Sequence, residues 1–494
     1  MSISLRNIGG NALSILTSDV MNRATSFVIY AMVARKLGAF EFGQMSLALS
    51  LFYIFLIFAV SGVKTLLIRE VAQDRSLTRR YLVNGCLIVG AMSFVSLAAV
   101  FGFVRAVDYV GGTKLVVLLL SLGILPSAIS AVCEGIFQAW ERMHYIAYVN
   151  VPTNLTKMTG AYLLLFWNRG LYTVILLLLA AFFTAASVEL WLVLTRFQTE
   201  PAPGRAGPGA GIDLRFALAT LRSASTFLGI DSTCAVAGNL NIILLSKLAT
   251  EKEVGLYSAA TQLMVPLLLV YCSIAQSIFP VMCRKIEPGL GTLRRIAEQA
   301  IEVLLALAVP TVGGIFFVGQ WALSVLYKNP AFAQAAPALR IVAWMLVPQV
   351  FSSVLGQVLM ATHREKITLK IAMIGGVLNV GLGWPLIRWY GLQGAASILV
   401  VTAVVGSILH YLPVAQLLSG ISFLKIIWKP LVAAGCMAVY LAVAITRVNV
   451  FAGLSATLLY LAVFVVLALW TSGGPRQFKE QYLGLLPDKT AEGN

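Results

Sequence analysis

The chain is 494 residues long, 59% hydrophobic and only 11% charged, with a mean hydropathy of +0.88. A soluble domain carries about 25% charged residues, so these proportions exclude a water-soluble globule and leave a polytopic membrane protein. The formal net charge of +16 raises nucleic acid as a partner, but the basic residues collect in loops on one side of the predicted spans, and no nucleic-acid partner is expected.

Apolar runs of the roughly 20 residues needed to cross a ~30 Å hydrocarbon core are predicted in chain order over 8–34, 43–66, 81–104, 114–138, 145–166 and 171–196. A break rich in proline and glycine, 198–213, cannot hold a helix. Runs at 214–246, 254–281, 296–318, 334–361, 367–387 and 391–418 follow, then 426–446 and 450–471. The expectation is an all-α integral membrane protein of about fourteen transmembrane helices. An N-lobe (1–197) and a C-lobe (214–419), six helices each, are joined by the cytoplasmic linker 198–213 and followed by a helical pair (420–471) and a cytoplasmic tail (472–494). Met1 to Asn11 lead into the first span without a small-residue cleavage pattern, so that span is expected to be retained.

The two lobes echo each other. Ala12, Leu16 and Asp19 correspond to Ala224, Leu228 and Asp231, and after one inserted residue Gly43 and Ser46 correspond to Gly255 and Ser258. Trp140-Glu141-Arg142 corresponds to Thr362-His363-Arg364, and Gly170-Leu171 to Gly391-Leu392. Internal duplication is what transporter halves show, with the substrate path between them.

Most Lys and Arg fall in loops on the side of the N-terminus, in clusters such as Arg69/Arg75/Arg79/Arg80 and Arg364/Lys366/Lys370. That bias places both termini in the cytoplasm and supplies contacts for anionic lipid headgroups. The opposite loops are short, the longest being about 319–333, which leaves no room for an outer catalytic domain, and no phosphate-binding glycine loop is present. The chain is expected to be a transporter and not an enzyme. Six scattered cysteines and three histidines without ligand spacing point to no metal.

A charge at a helix centre costs on the order of 3 kcal/mol, so each needs a partner or a wet cavity. Asp19 and Arg23 stand four apart in the first span, where they form either a structural ion pair or part of a lumen. Asp231 has no basic neighbour on the seventh span, and Asp19 and Asp231 are the candidates for coupling to a proton or sodium ion. No other cofactor is expected. In the fifth span Pro152, Asn154 and Lys157 present an amide and an ammonium on one face, suited to a sugar phosphate, with an ion pair to Asp19 or Glu189 as the alternative. Arg340 in the tenth span meets either an anionic headgroup or the interface. Lys64 reads as a snorkelling lysine, Glu134 and Glu189 as carboxylates solvated at the interface, and aromatics such as Tyr53 and Trp321 as an interfacial belt.

The run Arg35-Lys36-Leu37-Gly38-x-x-Glu41-Phe42-Gly43-x-x-Ser46-Leu47-Ala48, with Arg69-Glu70, Gly255-x-Tyr257-Ser258-Ala259 and Tyr390-Gly391-Leu392-x-Gly394-Ala395-Ala396, resembles the Wzx-like polysaccharide flippases of the multidrug/oligosaccharidyl-lipid/polysaccharide superfamily. The resemblance covers about residues 1–420 and implies a fold like that of MATE and MurJ proteins. It further implies translocation of an undecaprenyl-pyrophosphate-linked oligosaccharide to the outer leaflet by alternating access, in a bacterial inner membrane, for O-antigen or exopolysaccharide synthesis. Membrane lipids and membrane proteins of polymer synthesis are the other partners it suggests. Such relatives have a cationic cavity, for which Arg23, Lys157, Asn154 and Arg340 are the candidate substrate contacts here. The competing expectations are a lipid II flippase and a MATE-type antiporter of cationic drugs.

Overall fold

The computed structural model describes residues 5–109, 111–197, 211–284, 290–418, 420, 423–444 and 450–472. Residues 198–210, the tail from 473 and the Asp231 side chain lie outside them. Every regular element among the described residues is helical, as a lipid solvent that offers the backbone no hydrogen bonds demands. The helices are α1 (Leu5–Leu37), α2 (Ala39–Val60), α3 (Val63–Gln73), α4 (Thr78–Val107), α5 (Gly111–Ser121), α6 (Ile124–Ala139), α7 (His144–Phe166), α8 (Leu171–Arg196) and α9 (Leu214–Leu248). They continue as α10 (Glu251–Arg284), α11 (Leu290–Tyr327), α12 (Ala336–Ala343), α13 (Leu346–Ala361), α14 (Glu365–Leu417), α15 (Phe423–Ala444) and α16 (Val450–Ser472).

Three expected spans are broken helices. The second turns at Ser61-Gly62, both in the left-handed region (φ 52° and 70°), which makes α3 a separate element. The fourth and tenth break at Gly123 and at Trp344-Met345, and they break alike. The helices that follow, α6 and α13, are each 16 residues long with proline at the third position, Pro126 and Pro348. Both end on the same cap: Glu141 and His363 are left-handed (φ 58° and 57°), and Arg142 N–H and Arg364 N–H reach back to the carbonyls of Phe137 (2.9 Å) and Leu359 (2.8 Å). The six-residue closure satisfies carbonyls that a helix end would otherwise leave bare, and its recurrence is structural support for the duplication. The eleventh and twelfth spans form the two halves of α14, which reverse at Gly391 (φ 52°, ψ −125°). A side chain at Gly394 would overlap the Leu386 carbonyl, so that reversal needs both glycines of the motif.

Nine helical stretches among the described residues are long and apolar enough to cross a membrane. The fully described α7 is long enough but carries Asn150, Asn154 and Lys157, and it falls outside that class on polarity.

The chain divides into two compact units, Met1–Gly255 and Leu256–Asn494. In the first, α2 is the central element: every residue from Phe42 to Phe52 is buried, as expected of a helix packed on all sides by α1, α4, α5, α6 and α9. In the second, α11 packs on α12, α13, α15 and α16. The α15–α16 pair is seated on it through Ala306, Met437, Tyr460 and Phe464 and through a buried ion pair, Lys429 Nζ to Glu302 Oε1 at 2.7 Å.

Candidate functional site

The polar face of α7 is turned onto α1. Asn150 Nδ2 donates to Ser18 Oγ (2.9 Å) and Asn154 Nδ2 to Asn22 Oδ1 (2.5 Å). Both pairs step by four residues in the same chain direction, so the helices run parallel and the amides are satisfied one turn apart. Burying such groups unpaired costs a few kcal/mol each, and the ladder removes that cost while holding α1 and α7 in register.

Beside the ladder, still within the first unit, lies a cavity of about 310 Å³ lined by Asn22, Thr25, Ser26, Ile29, Tyr30, Met45, Leu49, Tyr53, Asn154, Lys157, Leu178 and Phe182. Its walls come from α1, α2, α7 and α8. Lys157 Nζ lies 4.9 Å from the centre of the Phe182 ring, and that ring is itself stacked on Phe52 at 5.3 Å. Among the described residues Lys157 makes no salt bridge; a cation–π contact holds the ammonium, and the buried Glu189 carboxylate acts on it electrostatically without direct contact. One cation ringed by amides, hydroxyls and two phenols is a donor-rich pocket, and its chemistry suits an oxyanion that also carries hydroxyl groups.

Two of the predicted contacts, Asn154 and Lys157, are therefore together. The others are elsewhere. Arg23 and Asp19 are exposed, and no salt bridge joins them among the described residues. Arg340 is in the second unit, where its Nε–H donates to the Phe316 carbonyl (3.1 Å) and its guanidinium lies 5.2 Å from the Phe316 ring centre. Asp231 has its backbone on α9, and its side chain is outside the described residues. Asn22, Thr25, Ser26 and Tyr30 join the lining without having been singled out in the sequence, and Tyr53, expected in an interfacial belt, lines the cavity instead. Ser18, Asn22, Thr25 and Ser26 recur at helical spacing along an apolar span, which was a usable signal.

The interfacial readings of Lys64, Glu134 and Glu189 are corrected. The turn at Ser61-Gly62 lays Lys64 against α6, where Nζ meets Glu134 Oε2 at 2.6 Å, and Asn150 Nδ2 is 3.4 Å from the other Glu134 oxygen. Glu189 is 1% exposed, and its Oε2 has no hydrogen-bond partner. A charged network of α3, α6, α7 and α8 thus lies beside the polar ladder.

The sequence model of the family described as polysaccharide biosynthesis protein matches residues 8–285, the whole of this cavity included. The chain belongs to the polysaccharide biosynthesis protein family. A second family model, MatE, matches residues 233–384 of this polysaccharide biosynthesis protein. It is 20% identical over 410 residues to a probable low-salt glycan biosynthesis flippase of Haloferax volcanii, covering 82% of this chain and 83% of that one. It is 22% identical over 273 residues to a putative O-antigen transporter of Shigella dysenteriae, covering 54% and 65%. Its fold is similar to that of the lipid II flippase MurJ in an inward closed conformation, with a TM-score of 0.71 at 14% identity over 93% of this chain and 98% of that one. This polysaccharide biosynthesis protein is accordingly an all-α, multi-pass membrane protein with the MurJ and MATE fold, as the resemblance implied.

Proposed function

We propose that this protein is a flippase that moves an undecaprenyl-pyrophosphate-linked oligosaccharide from the cytoplasmic to the outer leaflet of a bacterial inner membrane by alternating access. The observation that carries the reading is the cavity around Lys157: a cation that makes no salt bridge among the described residues, set among amides, hydroxyls and phenols. Stripping each sugar hydroxyl of water costs ~2 kcal/mol or more unless a protein group replaces it, and the diphosphate link needs a cation. The lipid tail has no such needs.

The relatives in sequence, a probable glycan flippase, a putative O-antigen transporter and a probable lipid II flippase, support the same class of substrate. Antiport of a cationic drug is disfavoured, because the cavity lining carries a lysine and no carboxylate. Coupling to a proton or sodium gradient through Asp19 and Asp231 belongs to this reading.

Expression in cells lacking an O-antigen or exopolysaccharide flippase tests it, with surface polymer and accumulated lipid-linked repeat units as readouts. Wild type is expected to restore polymer, Lys157→Gln to fail while still inserted in the membrane, and Asp231→Asn to lose the part of the activity driven by the ion gradient. Polymer restored equally by Lys157→Gln would remove the cavity from the mechanism. Drug resistance conferred without polymer would replace the reading with antiport.

A further inference from the structure

The cavity stands on a second polar layer. Phe182 of α8 lines it, and Glu189 follows Phe182 by seven residues, so the carboxyl lies two turns, about 10 Å, further along the same face. On α7 the same step leads from Lys157 back to Asn150, whose Nδ2 donates to Ser18 Oγ (2.9 Å) and lies 3.4 Å from Glu134 Oε1. α7 and α8 are consecutive helices joined by a short turn, and they run antiparallel, so both steps lead to the same side of the cavity. In this layer Glu189 is buried, and its Oε2 has no hydrogen-bond partner among the described residues.

The groups that face Glu189 come from three helices. From α6, Ser130 meets the carboxyl, and Glu134 and the Cys133 thiol stand near it. From α3, Lys64 holds Glu134 at 2.6 Å and offsets the repulsion of that carboxylate in place. From α7, Lys157 acts on Glu189 without touching it. α5 meets α8 near the opposite end, where a side chain at Gly112 would touch Tyr172 Oη, and the charge of α5, Lys114, is in that first turn. A buried carboxylate is stable only while a cation faces it. With Lys64 committed to Glu134, that cation is Lys157. An oxyanion in the cavity would engage the same ammonium and withdraw the charge on which Glu189 depends. A buried carboxylate left without its cation neutralises by taking a proton.

We propose that Glu189 is a proton-binding site linked to the anion site, ionised while Lys157 is free and protonated from solvent when an oxyanion engages Lys157; this rests on the flippase reading of the cavity. Anion and proton then bind together instead of displacing each other, at a position separate from Asp19 and Asp231. By linkage the effect is mutual: a proton on Glu189 releases the ammonium and tightens anion binding by the same factor. Unit charges about 10 Å apart at an effective dielectric constant of about 20 bias one another roughly tenfold.

The test uses the full chain in detergent micelles with inorganic pyrophosphate as the probe. On its addition, the infrared difference spectrum of wild type is expected to gain the C=O stretching band of a protonated carboxyl, and Glu189→Gln is expected to lack that gain. Glu189→Asp, in which the band is displaced, takes the place of the glutamine variant where that one does not fold. Calorimetry in buffers of different ionisation enthalpy is expected to find about one more proton taken up by wild type than by Glu189→Gln per pyrophosphate bound. Protons exchanged by pyrophosphate itself are common to both proteins and cancel. Glu189→Gln, which imitates the protonated state, is expected to bind pyrophosphate roughly tenfold more tightly than wild type at about pH 8 and to converge with it as pH falls. Lys157→Met is expected to show the band with no ligand present. The proton site is overturned if wild type binds pyrophosphate without a change in the band, if the band is already present in ligand-free wild type, if the gain persists in Glu189→Gln, or if Lys157→Met lacks the band. Wild type that binds no pyrophosphate, with the band present in Lys157→Met, would overturn the oxyanion reading of the cavity and leave Glu189 a proton site governed by the lysine.

Discussion

Replacing Lys157 by methionine separates a binding role from a structural one, because the two roles move stability and affinity in different directions. Methionine keeps the length of the side chain and deletes the charge. The lost contact with the Phe182 ring, 4.9 Å away, is worth about 0.5–1 kcal/mol. Against it stands the relief of an ammonium that makes no salt bridge among the described residues, whose removal from water costs on the order of several kcal/mol. The folded protein is therefore expected to melt at the same temperature or higher. Binding goes the other way: a hydrogen bond from an ammonium to an oxyanion contributes about 1.5–3 kcal/mol, so affinity for inorganic pyrophosphate should fall about 10- to 150-fold. Titration calorimetry and tryptophan-detected melting on the same detergent-solubilised sample read both quantities. A lower melting temperature with unaltered pyrophosphate binding would refute the reasoning and make Lys157 a packing residue.

Three further outcomes are expected. The Lys429–Glu302 pair leaves only 8% and 7% of its side chains exposed, so Lys429→Met or Glu302→Leu alone should cost about 3–5 kcal/mol, while the double substitution should return to within about 1 kcal/mol of wild type or exceed it; additive losses in a denaturation cycle would contradict this. Asp213 accepts from the Phe216 N–H (3.0 Å) and from Arg80 (2.8 Å), and these contacts hold its carboxyl below the usual aspartate range. Because the folded value is the lower one, the anchoring of the first turn of α9 is fully present above the ordinary aspartate range, and it is lost as pH falls through the depressed value. Exchange of the Phe216 amide should accelerate below about pH 4, a dependence that Asp213→Asn should abolish; an unchanged profile in that variant would count against the anchor. Gly391→Ala, forced into φ 52° and ψ −125°, should cost roughly 1–3 kcal/mol, and an unaltered melting temperature would show that α14 is not held at that reversal.

Part of the site was legible in the chain. Asn154 and Lys157 stood out because a polar face three residues wide has no place in an apolar span unless something pairs with it or fills it. Tyr30 and Tyr53 did not, since a phenol in such a span reads equally well as packing or as an interfacial belt. Lys64 and Glu189 misled for a related reason: near a helix end a charge looks free to reach water, and a turn at Ser61-Gly62 that redirects the next helix cannot be inferred from hydropathy. The matching breaks before α6 and α13 were hidden as well, because Gly123 and Trp344-Met345 share no residue type, although Pro126 and Pro348 marked both.

Composition and period were enough for the all-α membrane class and for locating apolar segments, because partition between water and lipid acts on each segment separately and leaves its record in local sequence. Which faces meet depends on contacts between residues more than a hundred positions apart, and no local pattern encodes those. The pairing of Asn22 with Asn154, the stacking of Phe52 on the Phe182 ring that meets Lys157 and the crossing of Gly43 with Gly255 are all of this second kind. The glycines show the boundary most plainly: the repeat identified them as equivalents, and the packed helices made them partners.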